Sequence, residues 1–230
     1  MLNYTATFTV YIIIMLISYI FFSKVAEKKM SDPICLLIGF MLFELLGASC
    51  NIIFKNTMSI NAVITFIVDI LFGSICFKIK KSRVFFYSAI LNVLAGTLEY
   101  VVIFTVSSVF KFPTTVFNAN IFMLCLITAA SKLTYLTAVL ILARAVKKDE
   151  NNVKMPPRFY IFPVTVFFSM IVFWHICTND IVSDSNKILA SVACALLCIS
   201  AVVLFITYQS NIAKENENIT LKKDLEIVKA

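Results

Sequence analysis

The sequence predicts an all-α fold: a polytopic membrane bundle of about seven transmembrane helices that runs straight into the start of a cytoplasmic helical stalk. Three observations predict it. The chain of 230 residues is 60% hydrophobic with a mean hydropathy of +0.93, whereas soluble domains are about half apolar. Its apolar residues gather into seven runs of the length that crosses about 30 Å of hydrocarbon as a helix. Its positive charges crowd into alternate connections between those runs.

The first run, Phe8–Phe22, follows a short neutral leader, Met1–Thr7, and lacks the basic start and small-residue cleavage pattern of a signal peptide. The loop Ser23–Pro33 carries Lys24, Lys28 and Lys29. The second run, Ile34–Phe54, is followed by a turn, Lys55–Ser59, holding only Lys55. The third, Ile60–Phe77, meets Lys78, Lys80, Lys81 and Arg83. The fourth, Val84–Phe110, is joined to the fifth, Ile121–Ala143, by a loop with Lys111 alone. Arg144–Arg158 then supplies Arg144, Lys147, Lys148, Lys154 and Arg158, and its Pro156-Pro157 stops any helix before the sixth run, Phe159–Cys177. Lys187 stands alone before the seventh run, Ile188–Tyr208, and the tail adds Lys214, Lys222, Lys223 and Lys229.

Alternate connections thus hold sixteen positive residues against three, and Lys132, inside the fifth run, completes the twenty. The positive-inside rule places the amino terminus outside and the tail in the cytoplasm. The net charge of +7 is therefore topology, with some attraction to anionic lipid, and not a nucleic-acid footprint. The chain divides into a transmembrane bundle, 1–208, and an incomplete cytoplasmic linker or dimerisation helix, 209–230. The outside loops are too short to fold alone, so a signal from outside must be read by the spans and loops themselves. That favours a small, apolar or peptide-like ligand, or the membrane itself.

Seven cysteines, at 35, 50, 76, 125, 177, 194 and 198, all lie in or beside spans. Their odd number, the absence of CxxC and the lack of clustering in outside loops argue against a disulfide framework and a structural zinc site, and they read most simply as small apolar packing residues. Only Gly39, Gly47, Gly73 and Gly96 are available for close helix packing, and no GxxxG occurs.

Four ionisable residues fall near the middle of their runs: Glu44, Asp69, Glu99 and Lys132. Each costs about 2.5–3.5 kcal/mol if it faces lipid, so each is expected to face the bundle interior. Three acids cannot pair one to one with a single base, so at least one carboxyl must be neutral or hydrogen-bonded. These residues are either a ligand or ion site or interhelical ties with Lys132 paired to one acid, and the two readings are compatible. Asn92, seven residues before Glu99, falls on nearly the same, internal helix face. The only histidine, His175, lies beside Trp174 at the outer end of the sixth run. Two residues from Cys177, it points to a different helix face, which disfavours a nucleophile pair and leaves a pocket-edge or interfacial residue. No phosphate loop, HExxH or GxSxG occurs, and no catalytic residue, cofactor or metal is assigned.

In the tail a heptad frame places Asn211 and Asn218 at a, Leu221 at d, Leu225 at a and Val228 at d. Only the last heptad and a half is well formed. A homodimer seam and an amphipathic helix lying on the membrane surface are both compatible with it.

Several short-looped spans feeding Val203–Tyr208 into the Lys/Glu/Asn-rich stretch Gln209–Ala230 resemble the membrane module of peptide-sensing histidine kinases. These are the accessory-gene-regulator (Agr) type of Gram-positive bacteria, which carry a GHKL-type ATPase domain. The resemblance implies a bacterial plasma-membrane sensor of a two-component, quorum-sensing system. In that family the stalk continues into a dimerisation helix with a phospho-accepting His, then an ATP-binding domain. The cytoplasmic segments here contain no His, so this chain is expected to be a sensor module of a longer kinase or a truncated relative, unable to phosphorylate itself by that route. A small transporter or substrate-binding membrane component is the competing reading, with Glu44, Asp69, Glu99 and Lys132 as its pathway; no paired repeat and no Gly/Pro-interrupted spans support it. A membrane peptidase is third and would require His175. The heptad frame predicts that a cysteine at Leu225 cross-links to a dimer in membranes; a yield of monomer alone would reject the seam.

Overall fold

The computed structural model describes residues 2–54, 58–110 and 121–146 continuously, and separate positions at 165–166, 169 and between 192 and 222. Among these residues every regular element is a helix, as the apolar composition requires. A segment in hydrocarbon has no water to satisfy its backbone and must bond to itself. The elements are α1 (Leu2–Val25), α2 (Asp32–Phe40), a π-helical stretch π1 (Met41–Ala48), α3 (Ser49–Ile53), α4 (Met58–Cys76), α5 (Lys81–Phe110) and α6 (Ile121–Ala145). Four stretches are long and apolar enough to cross a membrane: Thr7–Val25, Asp32–Ile53, Lys81–Ile103 and Cys125–Arg144. Ile60–Cys76 is a shorter apolar helix. These match the first five runs. The sixth and seventh fall mostly outside the described residues, although their described positions are helical.

Three details differ from the sequence expectation. The neutral leader is helical from Leu2, and α5 starts within the basic segment, where the Arg83 and Val84 amides donate to the Lys80 carbonyl at 2.9 and 3.1 Å. The second span is not one α-helix: α2, π1 and α3 follow each other without a break. An apolar run has the same composition in α and π geometry, so nothing in its hydrophobic pattern announces the wider turn. The start of α2 is conventional, with Asp32 in the first turn and Pro33 at a position where no amide hydrogen is needed.

Helix α5 lies between α4 and α6; α1 packs on α6 and on π1, and π1 on α4. The interior is aromatic. Phe22 stacks on Phe77 at 5.6 Å between centroids, Phe72 meets Phe77 edge-on at 5.7 Å, and Phe43 meets Phe72 at 5.9 Å. At one end of the bundle the two basic loops are sewn together. The Lys29 amide donates to the Cys76 carbonyl and the Lys78 amide to the Glu27 carbonyl, each at 2.8 Å. The Lys29 ammonium reaches the Ser74 carbonyl at 2.6 Å, and Lys78 pairs with Glu27 at 3.3 Å. Lys28 pairs with Asp32, which holds its ammonium above the ordinary lysine pKa.

Glycines permit the closest helix approaches. A Cβ on Gly73 would lie 2.9 Å from both Phe22 Cζ and Val84 Cγ1, and both of those side chains are fully buried. Gly73→Ala is therefore expected to destabilise the bundle by about 1–3 kcal/mol, read as a lower midpoint in detergent unfolding. An unchanged midpoint would mean that this layer is loosely packed.

Candidate polar site within the bundle

Helix α4 carries Asn61, Thr65 and Asp69 four residues apart, which puts all three on one face. Asp69 is the deepest, 1% exposed. Ser18 Oγ of α1 donates to Asp69 Oδ1 at 2.7 Å, and Asn92 Nδ2 of α5 donates to Asp69 Oδ2 at 2.8 Å. Asn92 Nδ2 also donates to the Ser88 carbonyl at 2.9 Å, which fixes the amide's orientation. Both carboxylate oxygens are thus held by neutral donors from two other helices. Tyr135 of α6, fully buried, lies within electrostatic reach of Asp69. The Ser88 hydroxyl is buried beside this network and has no hydrogen-bond partner among the described residues. A small change in what Asp69 binds would be felt by α1, α4 and α5 together.

The second polar feature is an ion pair. Lys132 Nζ of α6 meets Glu99 Oε2 of α5 at 2.8 Å, with the lysine side chain 7% exposed and the glutamate 35%. The single intramembrane base is therefore matched to one acid. Asn92 and Glu99 share a face of α5 but do not share a site, because one turns to α4 and the other to α6.

Glu44 stands apart. It is buried in π1, and neither carboxylate oxygen has a hydrogen-bond partner among the described residues. Among those residues no group of three or more His, Cys, Asp or Glu side chains is placed to hold a metal ion. His175, Leu225 and Val228 lie outside the described residues, while Asn218 and Leu221 are exposed helical positions.

Sequence reasoning missed five participants: Ser18, Tyr135, Tyr11 and Asn61, where the Tyr11 phenol donates to Asn61 Oδ1, and Phe205. Phe205, in the seventh run, is fully buried, stacks on Phe86 at 5.8 Å and meets Tyr87 at 6.0 Å. Those two rings immediately precede Ser88 on α5. The regular spacing of Asn61, Thr65 and Asp69 was the readable sign of a polar face on α4. Nothing set Phe205 apart among 22 phenylalanines.

No family model matches the chain, and no curated protein or solved structure matches it.

The Glu99–Lys132 pair makes a double-mutant test. Lys132→Met leaves an uncompensated carboxylate and is expected to cost about 1–3 kcal/mol, less than for a fully buried pair because Glu99 is partly exposed. Adding Glu99→Gln should recover at least half of that loss in a detergent-unfolding cycle. Simple additivity would show that the pair contributes nothing.

Proposed function

We propose that this chain is the membrane-embedded input module of a two-component sensor histidine kinase of the peptide-sensing, GHKL-domain type. In this reading seven spans cross the bacterial plasma membrane with the amino terminus outside. A small or peptide signal enters the bundle, and residues 209–230 begin a dimeric cytoplasmic stalk that carries the change to a kinase core.

One observation carries the reading: the last apolar run is gripped by the helix that holds the polar site. Phe205 packs on Phe86 and Tyr87; Ser88 follows directly on α5, and one turn beyond it is Asn92, which is bonded to Asp69. Every described position from 202 to 222 is helical, and in this reading a shift of Phe205 is passed toward the tail. A ligand that exchanges hydrogen bonds with Asp69 or Asn92 alters the seat of α5. The stacked rings then pass that movement to the seventh run. Such a switch requires different ligand affinity for two bundle states, and couplings of this kind are typically about 1–3 kcal/mol. Glu44, Glu99, Lys132 and His175 are the other polar positions a signal could meet. The transporter reading finds support at one point, the unpaired Glu44 carboxylate.

The test needs no knowledge of the signal. The chain is fused in frame after Ala230 to a GHKL kinase core, and phosphorylation is measured in membrane vesicles. Asp69→Asn rebalances the polar site and is expected to change phosphorylation at least about fivefold, the lower range of allosteric couplings. Phe205→Ala in the same chain should abolish that response while leaving basal phosphorylation. If Asp69→Asn has no effect, or acts equally with and without Phe205, the relay is wrong.

A further inference from the structure

Three buried acceptor atoms in the second span lack any hydrogen-bond partner among the described residues: both carboxylate oxygens of Glu44 and the side-chain oxygen of Asn51. Glu44 is 4% exposed and Asn51 8%, so solvent does not satisfy them. The other intramembrane acids differ. Asp69 receives two donors and Glu99 a lysine. What is missing around Glu44 is a donor or a positive charge, because another acceptor would only add repulsion.

The backbone is shaped around this residue. Glu44 lies in the wider turns of π1, a geometry that recurs at functional sites, and Ser49 Oγ turns back to the Glu44 carbonyl at 3.3 Å. Tyr11 of α1 lies flush on the same stretch, for a Cβ on Gly47 would meet Tyr11 Cε1 at 2.5 Å. The phenol donates its proton to Asn61 Oδ1, so toward any other group it presents an acceptor oxygen. Tyr11 and Cys50 are the titratable neighbours here, and no cationic side chain is paired with Glu44 among the described residues. The surroundings carry one formal negative charge and lie toward the end of α4 that is away from the sewn basic loops.

We propose that Glu44 anchors a small, hard monovalent cation of sodium size. A carboxylate oxygen donor suits hard ions over soft ones. One carboxylate neutralises one positive charge, whereas a divalent ion would leave net charge in the low dielectric of the span. The orphan oxygens have almost no accessible surface, which leaves no room for a bulky organic ammonium. Glu44 shares no hydrogen bond with Asp69, Ser18 or Asn92, so the proposal does not rest on the Asp69 relay.

The experiment is a salt series on the purified full chain in detergent. Thermal unfolding is followed in sodium, lithium, potassium and choline chloride at matched ionic strength. Sodium should raise the midpoint saturably over choline, by about 3 °C or more near saturation. Glu44→Gln should erase the difference between salts, and Glu27→Gln, at an exposed acid, should retain it. Equal wild-type midpoints in all four salts would overturn the proposal and leave Glu44 as a carboxyl neutralised by a proton. So would a sodium effect that survives in Glu44→Gln. Should Glu44→Gln fail to fold, equilibrium dialysis of radioactive sodium against the wild type decides, and the absence of a saturable site sinks the idea.

Discussion

A carboxylate inside an apolar slab must find its partners within the protein, and Asp69 imposes that condition on three helices at once. Its two oxygens take their donors from Ser18 on α1 and Asn92 on α5. Sliding any one helix by a residue would strip at least one bond from a group with no access to water, and an unmet buried polar group costs about 1–3 kcal/mol. Apolar packing alone is a weak source of register in a membrane, because lipid tails are as apolar as leucine. The mutual heights of α1, α4 and α5 therefore depend on this carboxylate more than on the many larger side chains around it.

The aromatic interior follows from that register. With α1 and α4 fixed, Phe22, Phe72 and Phe77 meet edge to face or stacked, and Tyr87 of α5 comes within 5.5 Å of Phe21. Tyr87 also touches Phe205, so the same ring belongs to the core and to the seat of the last run. The Glu99–Lys132 pair does a similar service further along α5, tying it to α6 by an ion pair.

How much of this could be read from the chain differs with the kind of feature. The helices at the first five runs were legible because length and apolarity suffice, and the all-helical reading holds throughout the described residues. The wider turn at Met41–Ala48 was not, since a uniformly apolar run has no period to distort. Asp69, Asn92, Glu99 and Lys132 stood out as polar residues among apolar ones, but their pairing did not. Asn92 and Glu99 share a face of α5, and only the position of α5 between α4 and α6 sends them to different partners. Ser18 was silent because serine is common in spans and bonds to its own helix as readily as to a neighbour.

The sewn loops bear on the order of biogenesis. Every partner in that clasp, Glu27, Lys29, Ser74, Cys76 and Lys78, precedes α5 in the chain. The first three runs can thus close on one another as a preassembled insertion unit. The later helices then arrive at a template whose ends are already tied, and α5 has only to find Asp69 along a wall that no longer moves.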